Sequence, residues 1–165
     1  LQEVNDEANR AQVKLHRLAT KPSAASTIAE VEVSMKRLKQ KEISVPDRAL
    51  QLQAQRILNA ATVFYDSDEY AASMNYATQA HDIINMILDQ DRKGANSTVK
   101  FYAPVMLKTK VEVNLRKGPN KNTRILNTLE QGTSLTANAY HGDWLQVQTE
   151  NDLQGWVFYS FVEIK

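Results

Sequence analysis

The stretch Val111-Glu112-Val113-Asn114-Leu115-Arg116-Lys117-Gly118-Pro119-Asn120 decides how the second half of this chain folds. Its valines and Leu115 alternate with Glu112, Asn114 and Arg116, so one face is apolar and the other polar, as a half-buried strand requires. Gly118-Pro119 then breaks the run. Downstream the period of two persists through Leu135, Ala137 and Ala139, and again through Trp144-Leu145-Gln146-Val147. Gly132, Gly142 and Gly155 stand where one apolar run gives way to the next, so each is expected at a chain reversal.

Working outward, the opposite holds before residue 93. Residues 1–92 contain no glycine, because all five (Gly94, Gly118, Gly132, Gly142, Gly155) lie further on. Their apolar residues recur at helical spacing, and four helices fit between the punctuation marks, at about 1–21, 24–42, 46–66 and 68–92. The first carries Val4, Ala8, Ala11, Leu15 and Leu18 and is expected to end by Pro22. In the second, Ile28, Val31, Met35 and Leu38 form the stripe, with Thr27 and Glu30 at capping-box spacing. The third opens at Ser44 and Pro46 and runs through Leu50, Ala54, Ile57, Leu58 and Ala61. Asp68 and Glu69 lead into the fourth, whose stripe is Tyr70, Met74, Ala77, His81, Ile84 and Leu88. Short turns between such helices make antiparallel neighbours, so an up-and-down four-helix bundle is expected. Residues 93–98, Lys-Gly-Ala-Asn-Ser-Thr, read as a linker, and residues 99–165 as a small β domain, which makes the chain an α+β two-domain protein.

In order, the β half shows Asn114-x-Arg116-x-Gly118-Pro119, Gly132 after an apolar run, Gly142-x-Trp144, and Gly155-Trp156-Val157. This series resembles the bacterial SH3-like (SH3b) family over about residues 105–165; Lys117 and Asn120 depart from the small serines common beside the Gly-Pro pair. The resemblance implies a small, strongly bent barrel of five to seven strands, found mostly in exported bacterial proteins. It also implies binding of cell-wall peptide or another extended peptide, often beside a hydrolase domain. The helical half is similar, without a sharp motif, to alanine-rich hairpins of bacterial envelope lipoproteins.

Six candidate ligand-binding residues, Arg116, Lys121, Tyr140, Asp143, Trp144 and Tyr159, follow from chemistry as well as position. Tyr140, Trp144 and Tyr159, with Trp156 and Phe158, supply amphipathic rings that make either a contact platform or the core of so small a domain. Arg116 offers a planar fork that either holds a ligand carboxylate or pairs internally with Asp143 or Glu163. Lys121, with Lys117 and Arg124, places positive charge beside the Gly118-Pro119 turn.

No catalytic set is visible. There is no cysteine, the three histidines (His16, His81, His141) are scattered, and no Gly-x-Ser-x-Gly elbow or glycine-rich phosphate loop occurs. The carboxylate pairs Glu30/Glu32 and Asp66/Asp68 fall at helix ends and faces, where capping explains them. The expectation is therefore a non-enzyme with no cofactor and no metal site. Residues 1–92 carry 11 Lys/Arg against 13 Asp/Glu, a net −2, and residues 93–165 carry 9 against 6, a net +3. Neither excess makes a nucleic-acid footprint.

The longest apolar run is far below the roughly 20 residues needed to cross a bilayer. Leu1 stands within an apparent helix without an initiator Met, which fits a mature or trimmed form that follows an export signal or a lipidated anchor. The reading that follows is a non-enzymatic adaptor in the bacterial cell envelope, periplasmic or otherwise extracytoplasmic, whose partner is a cell-wall peptide or a protein. The alternatives are a structural protein whose β domain packs on its own helices, or an accessory targeting subunit of a cell-wall hydrolase.

Overall fold

The computed structural model describes residues 19–89, 92 and 97–165. The chain divides into two compact units, which separate between residues 89 and 90. Among the described residues the first unit holds three helices, α1 (Lys21–Lys39), α2 (Val45–Asp66) and α3 (Tyr70–Leu88). The expected four-helix bundle is thus corrected to three helices. The first expected helix, 1–21, lies outside the described residues but for its last three positions.

Pro22 stands in the first turn of α1, which begins at Lys21, three residues before the expected start at 24. Thr20 caps α1, accepting from the Ser23 N–H at 3.2 Å, while the Ser23 hydroxyl accepts the Thr20 N–H at 2.9 Å. Proline suits the first turn of a helix because its missing N–H would have no partner there anyway. The expected Thr27/Glu30 capping box is absent, because Thr27 sits inside the helix and donates its hydroxyl to the Ser23 carbonyl at 2.9 Å. Ala24, Ile28, Val31, Met35 and Leu38 are the buried stripe of α1, and their 4-3-4-3 spacing keeps them on one face.

Ser44 caps α2 by accepting the Asp47 N–H at 3.2 Å. Three residues, Ser67 to Glu69, turn the chain into α3, and their N–H groups bond back to the Val63, Phe64 and Tyr65 carbonyls. Asp68 takes φ +61° in this turn; its carboxylate accepts the Tyr70 hydroxyl at 2.8 Å rather than capping α3. So short a turn makes α2 and α3 an antiparallel hairpin, closed by Phe64 stacked on Tyr76 at 5.0 Å and by the buried Ser73 hydroxyl donating to the Ala61 carbonyl at 2.7 Å. α3 also packs against α1. It ends at Leu88, four residues before the expected end at 92.

The second unit holds seven strands among the described residues: β1 (Val99–Thr109), β2 (Val113–Arg116), β3 (Ile125–Leu129), β4 (Ser134–His141), β5 (Trp144–Thr149), β6 (Gln154–Phe158) and β7 (Val162–Ile164). One 3-10 turn, Tyr159–Phe161, separates β6 from β7. They form one antiparallel sheet in the order β3-β2-β6-β5-β4-β1-β7. Register shifts between Lys100 and Val105, Leu115 and Arg116, and Ala137 and Ala139 bend it. The first of these contains Pro104, which has no N–H to give a ladder. Leu115, Leu135, Ala137, Val147 and Val157 are almost fully shielded and form the core.

Gly132 (φ +83°) and Gly142 (φ +59°) lie at reversals, as expected, in a conformation that disfavours a Cβ. Gly155 does not. It lies within β6, opposite Val147, and a Cβ there would sit 2.7 Å from both the Arg116 carbonyl oxygen and Leu115 Cγ. The β5–β6 reversal instead uses Asp152 at φ +63°.

Candidate functional site

β2, the loop after it and the ends of β5 and β6 enclose a groove of about 700 Å3. One wall is aromatic, made of Trp144, Phe158 and Phe161. Trp144 and Phe158 are opposite each other across the β5–β6 ladder, so their side chains emerge on one face. Their rings meet edge to face at 5.5 Å, and Phe161 lies 5.7 Å from Phe158. Trp144 and Phe158 are half-buried, and Phe161 is exposed. Such rings present apolar area to a ligand without the entropy cost of ordering a long chain.

The facing residues Arg116, Pro119, Asn120 and Lys121 come from the end of β2 and its loop. That loop is ordered by its own polar atoms. The Thr123 hydroxyl contacts the Gly118 carbonyl at 3.0 Å and the Asn120 carbonyl at 2.7 Å, and accepts the Gly118 N–H at 3.2 Å. Lys117 N–H donates to the Arg124 carbonyl at 2.8 Å, and Asn122 N–H to the Asn120 side chain at 2.8 Å. Arg116 is tethered to the same loop, its Nη1 donating to the Thr123 carbonyl at 2.9 Å. A guanidinium has five N–H donors, so this tether orients Arg116 and leaves donors over for the groove. Glu112, Val113 and Asn114 complete the lining, and Asn114 is fixed by the Thr128 hydroxyl at 3.1 Å.

Of the six residues expected to bind ligand, Arg116, Lys121 and Trp144 meet in this groove. Tyr140 and Tyr159 do not join an exposed platform, since each is 5% exposed. Tyr140 packs against Phe101 at 5.7 Å, and Tyr159 lies under the Arg92 guanidinium, whose Cζ is 5.3 Å from the ring centre. Trp156 is also interior, edge-on to His141 at 6.2 Å. Asp143 is not the partner of Arg116; it pairs with Arg92, Nε to Oδ1, at 3.0 Å. Glu163 pairs with Lys108 at 3.7 Å, an exposed pair of little energetic weight.

The groove is also lined by Phe161, Asn120, Pro119 and Glu112, which the sequence pattern does not single out as ligand contacts. Phe161 was findable in Phe158-Tyr159-Ser160-Phe161, where three rings in four residues exceed what a strand can bury on one face. Arg92 falls at the end of the fourth expected helix, and nothing local in its sequence marks an interaction with Asp143. In the helical unit, His81 Nε2 contacts the Ser34 hydroxyl at 3.3 Å, which accounts for a histidine on an apolar stripe. Among the described residues no three His, Asp or Glu side chains converge as a metal site would require.

The family model described as "Bacterial SH3 domain" matches residues 111–163. The chain carries a bacterial SH3 domain. The matched residues run from two positions before β2 into β7, so the groove lies wholly within the SH3 domain, while β1 and Arg92 lie before the match. No curated protein matches the chain. Among solved structures, NlpC2 from Trichomonas vaginalis is similar over 38% of this chain and 23% of its own, at 13% identity and a TM-score of 0.35. NlpC1 from the same organism is similar over 38% of this chain and 22% of its own, at 11% identity and the same score. The chain therefore spans less than a quarter of the length of either protein.

Proposed function

We propose that this chain is a non-enzymatic binding protein of the bacterial cell envelope, whose SH3 domain takes an extended cell-wall peptide in the groove. The reading is carried by one observation: the Trp144–Phe158–Phe161 wall and the tethered Arg116 line the same cleft. The rings cover apolar parts of a peptide, and Arg116 with Lys121 answers its carboxylates by charge-assisted hydrogen bonds. The helical unit docks a partner or spaces the SH3 domain from an anchor. No helix among the described residues is long and apolar enough to cross a membrane.

Isolated peptidoglycan sacculi test this directly. The whole chain is expected to sediment with them, and Trp144→Ala and Lys121→Glu each to weaken retention by about tenfold, roughly 1.4 kcal/mol. Absence of retention by the unmutated chain removes the cell-wall ligand. Retention unaffected by both substitutions moves it out of the groove.

A further inference from the structure

A buried arginine outside the matched family residues touches the structure behind the aromatic wall at three points. Arg92 is 3% exposed. Its Nε lies 3.0 Å from Asp143 Oδ1 without the alignment of a hydrogen bond, so charge holds this contact. Its Cζ stands 5.3 Å from the Tyr159 ring centre, within cation–π range. Its carbonyl oxygen lies 3.3 Å from where a Cβ on Gly142 would be, and Gly142 has φ +59°. Asp143 and Tyr159 are themselves joined, Tyr159 N–H donating to the Asp143 carbonyl at 2.9 Å. Their chain neighbours Trp144 and Phe158 are the opposed pair that forms the wall.

We propose that Arg92 is a positioning residue for the groove, fixing Trp144 and Phe158 through Asp143 and Tyr159. This rests on the reading that the groove binds a ligand. A shielded guanidinium carries a desolvation cost that ion pairing often fails to return as stability. Its gain is geometric, because an apolar side chain of equal volume fills the space but leaves the Asp143 carboxylate unpaired. The 28% exposure of Asp143 lets water take over that carboxylate when Arg92 is replaced, so the strand ends rearrange while the sheet persists.

The test uses the full chain labelled with 5-fluorotryptophan, whose two 19F resonances are assigned by Trp144→Phe. Arg92→Met and Asp143→Asn are expected to move the Trp144 resonance by more than its linewidth, to leave Trp156 in place, and to lower retention on sacculi about tenfold. Arg92→Lys, which keeps the charge but not the planar stack, falls between. Should Arg92→Met not fold, Asp143→Asn carries the test alone. A Trp144 resonance unmoved in the folded variants overturns the proposal, and so does equal movement of both resonances, which marks general loosening. If Trp144 alone moves while the unmutated chain fails to bind sacculi, the positioning role stands and the cell-wall ligand falls.

Discussion

The helices α2 and α3 bury alanines completely, whereas the SH3 domain brings two strands together at a glycine. Ala54, Ala61, Ala77 and Ala80 are each fully shielded, and packed helices leave room for such Cβ atoms because their axes stay about 8–10 Å apart. At Gly155 the β6 backbone lies tight against its neighbour β2, and a Cβ would fall 2.7 Å from the Arg116 carbonyl oxygen and Leu115 Cγ. Small size therefore means two different things in the two units. In the helices it tunes a distance, and in the sheet it is a condition of folding.

The largest effect that can break this comparison is Gly155→Ala. It should cost more than about 3 kcal/mol, beyond the usual range for overpacking because the obstructing atom is backbone. The SH3 domain then unfolds early in urea while helical ellipticity at 222 nm persists; an unchanged midpoint sinks the argument. Next, Ala77→Leu should cost about 2 kcal/mol, since helices slide or tilt where strands cannot, read as an earlier loss of the 222 nm signal. Gly132→Ala sharpens the point from the other side. Nothing lies within 4 Å of its added Cβ, so only the φ of +83° opposes it, and the expected loss is about 1 kcal/mol. Ser73→Ala, which removes the buried bond to the Ala61 carbonyl, should also cost about 1 kcal/mol.

The smallest effect depends on pH. Tyr70 is held above its ordinary pKa, chiefly by the hydrogen bond to Asp68, then by desolvation and by the Asp68 charge. A raised folded pKa favours the protonated phenol, so its contribution is complete below the ordinary value of about 10 and is lost as pH rises through the folded one. Urea midpoints of the parent chain and Tyr70→Phe are therefore expected to differ below about pH 10 and to converge only as the pH rises above it.

Much of the fold is legible in the sequence because its signals are local. The buried stripe of α1 is the Ile28, Val31, Met35, Leu38 series with Ala24 added, and Ser44 marks the start of α2. Where the reading failed, a local signal had two meanings. Pro22 fits both the end of one helix and the first turn of the next, and only the Thr20–Ser23 cap decides. Gly155 fits both a reversal and a close approach within a strand, and only its nearness to Leu115, forty residues earlier, decides. The site divides in the same way. Arg116 and Lys121 flank a recognisable Gly-Pro turn, but an aromatic sequence does not say which rings point outward, so the choice between platform and core stays open for Tyr140 and Tyr159 until burial places both inside. Arg92 is the extreme case, since its partners, Asp143 and Tyr159, lie about fifty or more residues away.

β1 has hydrogen-bonded neighbours on both sides, β4 along one edge and β7 along the other, although it ends before the first residue of the family match. A fragment cut at residue 111 would thus lose an inner plank and bare two rows of amides and carbonyls at once. Unsheathed edges of that kind recruit strands from other molecules, so such a trimmed piece should clump, while one begun at residue 90 stays dispersed.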